Sequence, residues 1–146
     1  MAIQTPSLNT IREDFAFLDE WEDRYRYVIE LGKALPPLAA DERNEATKVT
    51  GCASQVWLII DRTPDGALIL RGESDAMIVQ GLIAILTAIY SGRTPQDILS
   101  SDARAVFDDF DLSDHLTQQR ANGLASMIGR VRALAELQLA DGAPAG

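Results

Sequence analysis

The feature that most constrains this chain is a change of hydrophobic period at Thr47 and a second change at Ser74. Up to Leu31 the apolar residues recur at helical spacing, first Ile11, Phe15 and Leu18, then Trp21, Tyr25, Val28, Ile29 and Leu31. From Thr47 the pattern shortens. "TKVT" is a β-compatible piece, "SQVWLIID" a β-branched and aromatic run, and "ALILRGES" a loosely alternating one. Pro64-Asp65-Gly66 lies between the last two, and proline sets φ while glycine tolerates positive φ, so these runs pair back antiparallel. After Ser74, helical spacing returns: Met77, Ile78, Gly81, Leu82, Ile85, Leu86 and Ile89 form a broad apolar face. The expected class is therefore α+β, a small antiparallel three-stranded sheet covered by helices.

The punctuation refines this plan. Ser7 or Asn9 caps the first helix, and Gly32 followed by Pro36-Pro37 ends the second. "PLAADERNEA" reads as a polar loop. Ser74 or Asp75 caps the apolar helix, and Gly92 stops it. Thr94-Pro95 opens a short helix, "DARAVFDDFDLSDHL" gives another with a loop, and Leu124, Met127, Ile128, Val131 and Leu134 face inward from a long last helix. No repeat or linker interrupts residues 1–140, which are expected to form one domain, with 141–146 a flexible tail.

Hydrophobic residues make up 47% of the chain, enough for a core without staples. Thirteen basic residues against 22 acidic ones leave a net charge of −9. Phosphate backbones and anionic lipid repel such a chain, which disfavours nucleic acid and membrane surfaces as partners. The apolar stretch "GLIAILTAIY" has ten residues, about half a membrane span. The amino-terminal "MAIQTPSLNTIREDF" lacks the basic and apolar regions of a secretory signal, so a cytoplasmic protein is expected.

Cys52 is the single cysteine, which excludes an internal disulfide. One Cys and one His do not make the usual structural zinc site or an iron–sulfur cluster, and no phosphate-cradling glycine motif is present. Three readings of Cys52 follow. It is a small buried hydrophobe; or it pairs with His115 as a nucleophile; or it is a relay thiol that accepts a sulfane sulfur and later surrenders it to another thiol. The relay needs no resolving cysteine, only controlled exposure, because the exchange partners bring their own thiols. Composition and spacing leave the structural and relay readings both open.

"NEATKVTGCASQVWL" (44–58) resembles the core motif of the SufE-like sulfur acceptors, which include the closely similar CsdE branch. "LRGESDAMIVQGLIAILTAIYSGRTPQDI" (70–98) and "LTQQRANGLASMIGRVRALA" (116–135) match in the family's order, so the similarity spans roughly residues 10–136. The resemblance implies a fold like that of IscU-type scaffolds and a sulfur-transfer partner rather than a stand-alone enzyme. A pyridoxal-phosphate (PLP) cysteine desulfurase, SufS- or CsdA-like, would hold sulfur as a persulfide and pass it to Cys52. Its turnover would rise as its thiol is cleared, and the sulfur would move on to a SufBCD-type scaffold for iron–sulfur cluster assembly. PLP then belongs to the partner, and this chain binds no cofactor or metal. The alternatives are a CsdE-type partner feeding another sulfur-transfer pathway and a non-catalytic desulfurase-binding adaptor, with the chain a monomer or homodimer.

The motif also carries supporting positions. Gly51 supplies a backbone conformation no side chain permits. Ser54 or Gln55 donates to a thiolate or persulfide, and Trp57 matches the motif with core packing as the competing role. Asp75 matches the family's corner beside the cysteine loop or caps the following helix. Arg120 matches an arginine of the last helix that favours a thiolate by charge, or is a solvated helix residue.

Overall fold

The computed structural model describes residues 7–52 and 54–142. Helix α1 (Leu8–Ala16) begins where the Ser7 hydroxyl accepts the Thr10 N–H at 3.2 Å. Helix α2 (Trp21–Lys33) runs through Gly32 and ends at Ala34. Gly32 is therefore a packing residue rather than the stop expected of it. A Cβ there would lie 2.7 Å from the Gly81 nitrogen, and one on Gly81 would strike the Val28 carbonyl oxygen. These two glycines let α2 lie directly against the backbone of α3 (Met77–Tyr90). Burial reaches almost all round α3, with Leu82, Ile83, Ala84, Ile85 and Leu86 fully enclosed. Met77 departs from its expected place on the apolar face. It sits in the helix's first turn and is 67% exposed.

Strands β1 (Val56–Arg62) and β2 (Leu68–Ser74) pair antiparallel, from Val56 opposite Ser74 to Arg62 opposite Leu68. Their turn closes as expected: the Gly66 N–H donates to the Thr63 carbonyl at 3.0 Å, with Gly66 at φ +92°. The sheet has two strands among the described residues, not three. "TKVT" contributes a single bridge, Lys48 opposite Trp57, held by Val49 N–H to Val56 O at 2.8 Å and Leu58 N–H to Thr47 O at 3.0 Å. It grows no further for physical reasons. Asn44 draws the N–H groups of Ala46 and Thr47 into a turn on its side-chain oxygen, and Arg130 of the last helix takes the carbonyls of Ala46 and Lys48. On the other side Gly51, at φ +89°, bends the chain away.

The connector before that bridge contains a short 3-10 turn, Ala40–Glu42, and is clamped to the outer face of the sheet. Arg71 forks onto Glu42 at 3.0 and 2.6 Å and also reaches Asp61 at 2.6 Å. Glu73 accepts both the Leu38 N–H at 2.8 Å and the Arg43 guanidinium at 3.2 Å.

Helix α4 (Pro95–Ser100) is capped by Thr94, whose hydroxyl accepts the Asp97 N–H at 3.1 Å. The next segment divides into α5 (Ala103–Asp109) and α6 (Leu112–His115), because Asp111 at φ +60° breaks the helix. Helix α7 (Gln118–Gly142) buries Leu124, Met127, Ile128, Val131 and Ala135, with Leu134 half-buried. Asp141 and Gly142 of the expected tail close this helix, and 143–146 lie outside the described residues.

Candidate functional site

Residues 50–52 and 54–55 belong to a loop with both ends tied. Val49 and Val56, both buried, close its base through the bond between them. Beyond it, Gln55 and Asp75 exchange two bonds: the Gln55 N–H donates to Asp75 Oδ1 at 3.0 Å, and the Asp75 N–H donates to the Gln55 carbonyl at 3.3 Å. Asp75 is thus occupied with the loop and does not cap α3, which follows Ala76 without a side-chain cap. Ser74 takes part in that corner, its hydroxyl accepting the Ala76 N–H at 3.2 Å.

Gly51 turns the loop onto α7. Its left-handed φ suits glycine, and a Cβ there would sit 2.5 Å from Ser126 Oγ. Behind that contact the Cys52 thiol lies on Gly123: Sγ donates to the Gly123 carbonyl at 3.6 Å, and a Cβ on Gly123 would come to 3.6 Å from Sγ. Gly123 and Ser126, three apart on one helix face, form the shallow seat that receives the loop.

Cys52 is half-buried and opens on a cavity of about 150 Å³. Val79, Leu82, Leu124 and Met127 make its apolar wall, while Ser54, Gln119 and Arg120 make its polar side. Burial pushes the Cys52 thiol up from its ordinary range, and the contact with a carbonyl oxygen also suits the protonated form. Arg120 stands in the first turn of α7, its N–H bonded to Thr117 Oγ1 at 3.2 Å, and makes no ion pair with a described residue. A resting neutral thiol and a guanidinium without a counter-ion therefore share one small cavity.

Of the residues singled out in the sequence, Cys52, Ser54 and Arg120 come together on this cavity. Gly51 and Asp75 shape its loop. Gln55 is exposed and engages through its backbone, and Trp57, half-buried on β1 opposite Glu73, does not line the cavity. His115 is elsewhere. Its ring stacks on Trp21 with centroids 4.1 Å apart, and Nδ1 lies 2.9 Å from the Asp111 carbonyl, so it gives Cys52 no base. Among the described residues no group of three or more His, Cys, Asp or Glu is arranged to hold a metal, and no helix is long and apolar enough to cross a membrane. The contributions of Gly123, Met127 and Val79 were not foreseen. The Gly-x-x-Ser spacing at 123 and 126 is the signal that a close approach leaves in a helix.

Known proteins bear on this geometry. A SufE-like protein of Rhizobium meliloti (strain 1021), described as uncharacterized, is 54% identical over 136 residues, covering 91% of this chain and 97% of that one. Another, from Rhizobium etli, is 50% identical over 137 residues, covering 92% and 93%. The solution structure of a hypothetical protein from Thermus thermophilus shares the fold, with a TM-score of 0.74 at 22% identity over 93% of this chain and 98% of that one. The family model described as the SufE Fe-S metabolism associated domain matches residues 9–135, and the chain belongs to that family.

Proposed function

We propose that this protein is a sulfur acceptor and carrier whose working atom is Cys52 Sγ. The observation that supports this reading above others is the lone thiol held on a small cavity by a loop tied at both ends. A stand-alone cysteine enzyme needs a base and a thiolate, whereas among the described residues this thiol has no base beside it, and burial favours its protonated form. A relay thiol needs protection between transfers, and a raised pKa with partial burial supplies it.

The donor is a PLP-dependent cysteine desulfurase carrying a persulfide, Cys–S–S–H. Cys52 loses its proton, and its thiolate attacks the terminal sulfur of the donor. A Cys52 S–S bond forms, the donor's S–S bond breaks, and the donor thiolate leaves and takes up the proton. The products are Cys52–S–S–H and a free donor thiol, with no net oxidation. Arg120 favours the anionic forms on either side of this step by charge. Clearing the donor thiol raises desulfurase turnover, and a second exchange hands the sulfur on for iron–sulfur cluster assembly, through a SufBCD-type scaffold or, in a CsdE-type role, another recipient.

Incubation with a cysteine desulfurase and L-cysteine, followed by intact-mass measurement without reductant, tests this. Wild type is expected to gain the mass of one sulfur atom and Cys52→Ser none. A folded wild type that stays unmodified, or a Ser variant modified equally, sinks the proposal. Stimulation of the desulfurase by Cys52→Ser as strongly as by wild type would instead mark a non-catalytic adaptor.

A further inference from the structure

The acidity of this chain is not spread evenly. Residues 12–26 and 108–114 hold ten carboxylates against three arginines, while the rest of the chain has twelve against ten cations. The fold brings these two stretches together: Arg12 pairs with Asp109 at 3.2 Å, Arg24 with Asp111 at 3.7 Å, and Trp21 stacks on His115. Seven of the nine net negative charges thus lie in one region, formed by α1, the start of α2, α5 and α6. The three arginines are consumed by pairing within it, Arg26 being 3.6 Å from Asp23. Asp19, Glu20, Glu22 and Asp114 make no ion pair with a described residue and project their charge outward.

A shallow open surface of about 480 Å³ lies along α2 within this region. It consists of the stripe Trp21, Tyr25 and Ile29, about one helical turn apart, with Glu22 and Arg26 beside it on the same helix. None of these residues lines the Cys52 cavity. At the Trp21 end of the stripe the unpaired carboxylates gather, Glu20 and Glu22 on either side of Trp21 in the chain and Asp114 next to the His115 that stacks on it. This arrangement suits a helix with apolar residues along one side and Lys or Arg beside them at that end. A second copy of this chain is a poor occupant, because the same surplus of carboxylates would face itself.

We propose that this exposed stripe of α2 is a docking surface for a basic amphipathic helix of a partner protein, separate from the sulfur-transfer site. The apolar stripe supplies the contact area, and the carboxylates gathered around Trp21 supply orientation and a faster encounter.

The full chain, labelled with nitrogen-15, would be titrated with a synthetic helix of about 18 leucines and lysines, and with the same peptide carrying glutamate for lysine. The lysine peptide is expected to shift amides of residues 17–29 and 111–115, and the glutamate peptide to leave them unmoved. Affinity should fall about tenfold between roughly 50 and 300 mM salt. Tyr25→Ala, and the pair Glu22→Gln with Asp114→Asn, should each weaken binding about fivefold or more while leaving sulfur loading of Cys52 unchanged. Four results would overturn the proposal: equal binding of both peptides, shifts centred on the Cys52 cavity, charge-neutralised chains that bind as wild type does, or self-association through α2 in sedimentation.

Discussion

Gln55 and Asp75 hold each other by two hydrogen bonds, one from each backbone N–H, so the far end of the cysteine loop is fastened to the corner between β2 and α3. One of the two acceptors is a side chain, and a substitution can remove it. Asp75→Ala should free the loop without disturbing the core, since both residues are exposed. A hydrogen bond of this kind is worth about 1 kcal/mol, so amides of residues 50–55 should exchange with deuterium roughly fivefold faster. Unchanged exchange there would show that the base pair of valines alone holds the loop.

Gly51 carries two separable demands, a left-handed φ and a seat against Ser126. Gly51→Ala should cost about 2 kcal/mol, part from the backbone and part from the Cβ that would sit 2.5 Å from Ser126 Oγ. Ser126→Gly in the same chain removes the steric part and should recover some of the loss in a urea melt. Full recovery would mean that the positive φ contributes nothing.

The Cys52 thiol ionises above the ordinary 9.0 because burial penalises the thiolate. Alkylation of the free protein by a small neutral reagent should therefore show its inflection above 9.0. The sign for stability follows. The unfolded chain ionises first as pH rises, so stability is unaffected well below 9.0 and falls above it, a loss that Cys52→Ser should lack. An inflection near neutrality would show a thiolate already stabilised at rest.

Hydrogen bonds from Arg71 hold the Glu42 carboxyl at about 2, against an ordinary 4.5, and the Ala39 N–H adds to the effect. Its contribution is present above about 4.5 and is lost as pH falls towards about 2. Glu42→Gln should flatten the acid side of a melting-temperature profile in that window. Faster amide exchange in residues 38–46 of the variant would confirm that the connector clamp is what loosens.

Close approach of α2 and α3 leaves Gly81 the most tightly enclosed of the described glycines. Gly81→Ala drives a Cβ into the Val28 carbonyl oxygen, a backbone atom with nowhere to go, and should cost about 3 kcal/mol by chemical denaturation.

What was legible in the sequence was what is decided locally. Pro64-Asp65-Gly66 specifies its own turn, Thr94-Pro95 its own cap, and the apolar period of α3 its burial. The missing third strand was not legible, because "TKVT" has strand-forming residues and loses the Lys48 carbonyl to Arg130, 82 residues further on. Gly32 read as a stop because nothing near it announces Gly81 as its neighbour. The site divides the same way. Cys52 and its glycine stand in a recognisable motif, but half of the cavity wall comes from α7, with Gly123 lying 71 residues from the thiol it seats.

The two fastenings of the cysteine loop limit its reach. Cys52 stands three residues from Val49 on one side and three from Gln55 on the other. Three residues of fully extended chain span at most about 11 Å, so the sulfur is on a short leash whatever shape the loop takes. It cannot reach far beyond its own cavity. In the acceptor role proposed above, a donor would have to bring its sulfur to the mouth of the cavity, because the distance between two hydrogen bonds sets how far Cys52 can reach out to it.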